Sequence, residues 1–531
     1  MARNGTRLLV AAAVVLMAQL GWVVEGKEAP WRSRLYPQNW TPAFTDGEGR
    51  FLHDFSYAGY RNGAAPLPAP KADAKVFDAV GAFGADRTGK ADATGALQAA
   101  IDAAEAAGGG VVWVPAGLYR CDGVLVVDHS GVVVRGEGPE ATRLFFTRSA
   151  KMTGRAHINF KGSIRRGAHI PLAADGANRA FTVRVHDASG LKLGTHVCLG
   201  WVITDAFVAD HHMAGTWKVF NGKWRPIFRR TVVAVDTAKT PHEVTLDIPL
   251  RYPARVRDRA SLRVETGYLE NCALEDLAVS NAVAWGAAWG NNRVHAIEVR
   301  CGRNCWVRNV ESFASPLPQA RGRHLQSGGI MVSDSKAVTV EGCRMAAAQH
   351  RGGGGNGYLF EVTRSSDVLF RRCHAKGGRH SFIQNWDFGT SGCVWLQCTS
   401  EGSRAFVARY DPVGVPAYCE YHHSLAMACL VDQCTLVDGW YGGNRRHWSS
   451  GAGLSVTQSV YWNTRGGGRI RSWASGWGYI IGTHGITVRT ALSDRSAAGT
   501  APADYVEGRD RAATLVPQSL YLDQLRRRLG R

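Results

Sequence analysis

One spacing limits what this 531-residue chain can become. Between residues 277 and 434 a pattern recurs about every thirty residues: apolar strand, short polar turn, apolar strand, then a fixed polar or Cys position. Val299, Val332 and Val362 each stand eleven residues before that closing position, which is Val310, Cys343 and Cys373. Adding Leu277, Cys398 and Cys434 gives steps of 33, 33, 30, 25 and 36 residues. A period in this range, with two or three short strands per unit, marks a solenoid. No unit of that size can bury its own apolar face, so stacked units must share one core. The expected fold class is all-β, a parallel β-helix. Four of the twelve cysteines share one position in successive coils (Cys343, Cys373, Cys398 and Cys434), which predicts a buried ladder of small apolar side chains. Cys301 and Cys305 lack a second nearby Cys or His pair, so no zinc site is expected.

Upstream, Asp92 precedes an Ala-rich stretch with Leu97, Ile101 and Ala104 on one face and Gly108 as its stop, which predicts a helix. Placed just before the first coil, it would cap the open end of the core. Four motifs follow one another here: Phe83-Gly-Ala-Asp-Arg-Thr-Gly89, Ala96-Leu-Gln-Ala-Ala-Ile-Asp102, Gly108-Gly-Gly-Val-Val-Trp-Val-Pro-Ala-Gly-Leu-Tyr119 and Val133-Val-Arg-Gly-Glu-Gly138. Over roughly residues 76–140 the chain resembles the opening of the pectate lyase superfamily, and more narrowly its rhamnogalacturonase/epimerase-like N-terminal module. That resemblance implies a right-handed parallel β-helix acting on carbohydrate chains. It does not fix the reaction, because such folds host lyases, hydrolases, epimerases and adhesins.

The expected organisation is a signal peptide at 1–26, an aromatic and Pro-rich arm at 27–75, the cap and first coils at 76–148, an inserted antiparallel β-subdomain at 149–263, the main β-helix at 264–490, and a linker with a C-terminal helix at 491–531. Arg3 and Arg7 followed by a thirteen-residue apolar run describe a cleavable leader, too short to span a bilayer. The product is expected to be secreted or periplasmic, without membrane insertion. The formal charge of +19 points to an acidic partner, and for an exported protein an acidic polysaccharide fits better than nucleic acid. The inserted arginines Arg229, Arg230, Arg251, Arg255, Arg257 and Arg259 would wall one side of a groove. No long exposed apolar face of the kind that drives trimers occurs, so a monomer is expected.

Equivalent positions in neighbouring coils stack about 4.8 Å apart, so distant residues can converge without a local motif. The segments entering successive coils are rich in His and Arg. His380-Ser-Phe and His423-Ser-Leu align directly, which predicts two imidazoles side by side, flanked by Arg379, Arg445 and Asn356. β-Elimination on a uronate needs a group that neutralises the carboxylate, a base for the C5 proton and an acid for the leaving oxygen. His380, His423, Arg379 and Tyr421 are the expected catalytic set. Asn356, Tyr358, His422, Arg445, His447 and Trp448 are the expected substrate contacts, with further stacking surfaces among Trp440, Trp462, Trp473 and Trp477. The alternatives are a glycoside hydrolase using Asp387 and Glu420 as paired carboxyls, and a non-catalytic glycan-binding β-helix. The chain lacks the polygalacturonase carboxylate motifs and any Asp-rich cluster like a pectate lyase calcium site, so no catalytic residue carries over. No cofactor or metal is expected, although the residues leave open whether Ca2+ assists in neutralising the carboxylate.

Overall fold

The computed structural model describes residues 29–69, 73–409, 413–490 and 499–531. The leader expected at 1–26 lies outside them. Stacked parallel strands form a β-helix whose coils present three faces. Along the first face Ala273 pairs with Trp306, Trp306 with Thr339, Thr339 with Leu369, Leu369 with Val394 and Val394 with Leu430. The chain then bends into a second face, where Arg344 pairs with His374 and His374 with Thr399. The third face is a ten-stranded sheet that includes Ala156–Lys161, His295–Arg300, Gly328–Ser333, Tyr358–Thr363, His380–Asn385 and Cys419–Tyr421.

The bend between the first two faces has one conformational signature. Asp276, Asn309, Gly342, Arg372, Gln397, Gln433, Asn463 and Gly482 stand at equivalent positions, and all have positive φ. Directly after them comes the column read from the sequence: Leu277, Val310, Cys343, Cys373, Cys398 and Cys434. Each of its four thiols donates to a carbonyl of the preceding coil, for example Cys373 to Val340 at 3.3 Å and Cys434 to Trp395 at 3.2 Å. A second column, Cys272, Cys305, Val338, Val368, Cys393 and Cys429, lies just before the first-face strands, and alternation of Cys with Val hides it in the sequence. All twelve cysteines are free and buried.

The helix Thr94–Ala106 caps the N-terminal end, burying Leu97, Ala100, Ile101 and Ala104 on the core. The Asp92 carboxylate accepts from the Thr94 N–H at 2.9 Å. At the outer side of the first face, Leu35, Tyr36, Trp40, Leu52 and Phe55 of the arm join Leu520 and Tyr521 of the C-terminal helix Leu520–Leu529 over Val394, Leu430 and Trp462. Among the described residues no helix is long and apolar enough to cross a membrane.

The inserted subdomain begins later than expected. Ala156–Lys161 belongs to the solenoid, pairing with both Leu125–Val127 and His295–Arg300. Antiparallel strands then run from Arg165–Arg166 to Ser261–Thr266, centred on the long strand Trp224–Asp236. Arg229, Arg230 and Arg251 do not line a groove as expected; all three are buried and tie this unit to the coils. Arg230 and Arg251 each reach the buried Asp367 carboxylate at 3.1 Å, and Arg251 also donates to the Asp54 carbonyl of the arm. Two buried guanidiniums sharing one carboxylate depend on it for compensation. Asp367→Ala should therefore cost on the order of 3–5 kcal/mol in chemical denaturation; a loss below about 1 kcal/mol would show that water reaches the cluster.

Burial lowers the pKa of His53 to about 3, and those of His157 and His423 to about 4. These rings, with His196 and His350 also lowered to about 4, are neutral in the fold and protonate more readily once unfolded. Asp432 and Asp504, raised by burial to about 7 and about 6, act the other way but are outnumbered, so the unfolded chain gains more protons as pH falls. Stability should hold above about pH 6.5 and decline steadily towards pH 4. Equilibrium unfolding at a series of pH values tests this, and a flat profile across that window would refute it.

Candidate active site

The third face gathers most of the predicted residues, but in a different arrangement. Ile383 pairs with Glu420 and Gln384 with Tyr421, so continuing this register sets His423 opposite Trp386, not His380. The Trp386 and His423 rings lie 4.4 Å apart, centroid to centroid. The direct alignment of His380 with His423 is thus wrong by six residues. The side chains that face His380 are Glu420 and His422.

Hydrogen bonds fix the state of each imidazole. His380 Nδ1 lies 2.6 Å from the Tyr418 carbonyl and must donate to it, which leaves a lone pair on Nε2. His423 Nε2 donates to the Ser449 carbonyl at 2.8 Å, so its Nδ1 accepts from His422 Nδ1 at 2.6 Å. His422 Nε2 therefore also carries a lone pair. Both Nε2 atoms turn towards Glu420 Oε2, at 3.4 Å from His380 and 3.9 Å from His422. The Arg445 guanidinium closes on the other carboxylate oxygen. Three electron pairs meeting at one point form a place that accepts a proton. Burial first, and then the Arg379 and Arg445 charges, hold His380 well below the usual imidazole range. For His422 burial again leads, followed by His423 and His380. Both rings are free bases at neutral pH.

Several expected contacts take other roles. Tyr421 is sealed in the solenoid core among Trp395, Trp440 and Tyr461, where no substrate meets it. Alternation along a strand explains this: Glu420 points away from the solenoid core, buried beneath Arg445, so its neighbour points into the core. Asn356 is buried, accepting from the Arg293 N–H and Ser327 Oγ and donating to the Asn292 side chain and the Gly353 carbonyl, so its amide has no capacity left for a substrate. Arg379 donates to the Gly352 carbonyl at 2.9 Å. Tyr358 is buried against His380, with ring centroids 5.4 Å apart. His447 and Trp448 lie on the exposed side of the loop that carries Arg445 and Ser449, and Trp448 is 75% accessible. Trp440 and Trp462 are core residues, not stacking platforms; Trp473 is also buried, and Trp477 packs beneath the N-terminal arm. The two expected hydrolase carboxyls have different partners: Asp387 binds Arg225 of the inserted subdomain at 2.8 Å, while Glu420 binds Arg445.

A second polar cluster on this face went unseen in the sequence. His295 Nε2 lies 2.9 Å from Glu361 Oε2, and Asn385 Nδ2 donates to Glu361 Oε1 at 2.7 Å. No local motif marks this cluster; the only signal is that the three residues stand on strands of one stack.

Residues 77–193 match the family model described as rhamnogalacturonase A/epimerase, pectate lyase-like. Alginate lyase 7 of Azotobacter vinelandii is 42% identical over 80 residues, 14% of this chain and 9% of that protein. The mannuronan C5-epimerases AlgE3 and AlgE6 of the same organism are 63% identical over 63 residues and 38% over 109. Those matches take in 10% and 19% of this chain, and 3% and 12% of the relatives. Among solved structures, the Gp54 tailspike of Acinetobacter baumannii bacteriophage AP22, in complex with capsular saccharide, aligns with 88% of this chain and 72% of its own at 10% identity and a TM-score of 0.46. An iota-carrageenase complexed to iota-carrageenan fragments aligns with 81% and 63% at 10% identity and a TM-score of 0.33. The N-terminal part of the coil stack is thus similar to the rhamnogalacturonase A/epimerase, pectate lyase-like family.

Proposed function

We propose that this protein is an exported enzyme that cleaves an acidic polysaccharide by β-elimination, with its reacting centre at Glu420, His380 and His422. The observation that carries this reading is the convergence of two imidazole lone pairs on one carboxylate beside guanidiniums. A uronate seated here would bring its carboxylate to Arg445 and Arg379, and neutralising that charge makes the C5 proton acidic. His380 Nε2 takes the C5 proton, and the C4–C5 double bond forms as the C4–O bond breaks. That same proton, relayed across Glu420 to His422 Nε2, passes to the leaving oxygen, which restores both free bases. His423 holds the tautomer of His422 and is a positioning residue. The names of the relatives, a lyase and C5-epimerases of uronate polymers, accord with chemistry that begins by removing a C5 proton. An anionic glycan also accords with the net charge of +19.

Polymannuronate, polygalacturonate and other uronate polymers mixed with purified protein should yield an unsaturated product, seen as rising ultraviolet absorbance. Reducing ends without that absorbance would mean hydrolysis, and binding alone a glycan-binding module. His380→Ala and Glu420→Gln should each lower kcat by roughly 10²-fold or more, with circular dichroism unchanged. Tyr421→Phe should keep its activity, because that ring never meets substrate. Full activity in both of the first two variants would move the reacting centre elsewhere.

A further inference from the structure

The His295–Glu361–Asn385 cluster floors an open groove along the third face. Two adjoining hollows of about 240 and 480 Å3 share Gly154, Arg155, Glu298 and Arg300. Six cationic side chains line them together, Arg148, Arg155, Lys161, Arg293, Arg300 and Arg364, against two carboxylates, Glu298 and Glu361. At one end stands Trp386, 37% accessible, whose ring packs on His423 and so joins the groove to the Glu420 centre. From the coil of His295 to that of His380 is three rungs, or about 14 Å.

The floor is a built arrangement. His295 and Glu361 lie two coils apart, and the coil between them carries Gly328 at the position opposite His295. A Cβ on Gly328 would fall 2.3 Å from the His295 ring, so only glycine lets the imidazole lie across that rung and reach the carboxylate. Glu361 is 4% and His295 4% accessible, yet both line the groove.

We propose that this groove is a binding subsite for the stretch of acidic glycan that lies away from the bond being broken. Rim guanidiniums take the uronate carboxylates, the His295–Glu361–Asn385 floor takes ring hydroxyls, and Trp386 stacks on the sugar nearest the reacting centre. The proposal rests on the uronate-lyase reading and assigns it a preference for long chains.

The test uses size-fractionated oligouronates with the wild type, an Arg155→Ala/Arg300→Ala double variant on the exposed rim, His295→Ala and Gly328→Ala. On long oligomers KM should rise about tenfold, which corresponds to roughly 1.4 kcal/mol of lost binding, while kcat changes less than about twofold. On the shortest oligomer still cleaved, the variants should match the wild type. Gly328→Ala should reproduce His295→Ala, because the added methyl evicts the same ring. An unchanged KM at every length, or an equal loss at every length, would overturn the subsite. Should the wild type turn over no uronate polymer, the lyase reading fails, and electrophoresis through gels containing polymannuronate still decides the subsite. Retardation lost in the double variant supports it, and equal retardation of both proteins overturns it.

Discussion

Everything in this molecule depends on rung-to-rung register. A parallel ladder fixes neighbouring strands about 4.8 Å apart, and the left-handed residue at the first bend of each coil turns every chain segment at the same point. Five different residue types occupy the bends from Asp276 to Gly482, and only two of those eight positions are glycine. Side-chain chemistry therefore does not dictate the bend. Backbone bonds to the coils above and below over-determine it, and the small strain at each non-glycine position is offset by two ladders of hydrogen bonds. Once that column is set, the residue after it must point inward. A thiol or an aliphatic side chain there fills the space and, when it is Cys, returns a weak hydrogen bond to the previous rung.

The register also explains how far the sequence could be read. The anchor column was legible because each member sits a fixed distance from a strand with strong apolar alternation. The site was only half legible, because it lies at the opposite end of each coil, past loops of unequal length. Steps of 25 and 36 residues differ by eleven, and the excess lies in the turns that connect the second face to the third, 3 residues long before His380 and 17 before Cys419. Matching His380-Ser-Phe to His423-Ser-Leu treated those turns as constant and slipped the alignment by six residues. In the sequence the partner that His380 meets, Glu420, stands out only as a candidate hydrolase carboxyl. Tyr421 failed for a related reason: a one-residue error on a strand exchanges inside for outside. His295, Gly328 and Glu361 could not be read at all, since their relation exists only across two rungs.

The arginines show a second limit. A basic composition invites a surface reading, yet Arg229, Arg230 and Arg251 are consumed in the joint between the inserted subdomain and the coils. Buried guanidiniums are expensive, and here each meets a carboxylate or backbone carbonyls, although the Nε of Arg229 and that of Arg251 make no hydrogen bond among the described residues. Their net worth in stability is modest compared with an apolar joint of the same size. What they supply is position: Asp367 can accept both Arg230 and Arg251 only in one placement of the subdomain. Arg225, from the same unit, meets Asp387 two residues beyond the strand that carries His380. The wall beside the groove is thereby set by ion pairs whose geometry leaves little freedom.

Charge also orders the two clusters on the third face. At the Glu420 centre the imidazoles are deprived of protons by burial and by neighbouring guanidiniums, the condition a base needs before substrate arrives. In the proposed reaction an anionic sugar entering there would cancel the field of those guanidiniums, and cancellation would raise the basicity of the same imidazoles at the moment the C–H bond breaks. Along the groove the logic is different. His295 is committed to Glu361, and Glu361 to Asn385, so these groups are held as a fixed pattern of donors and acceptors. A surface that binds should be indifferent to proton movement, whereas a centre that reacts should respond to it. In the proposed reading the two clusters take these two parts with the same residue types, because the tautomer and the partner of each histidine differ.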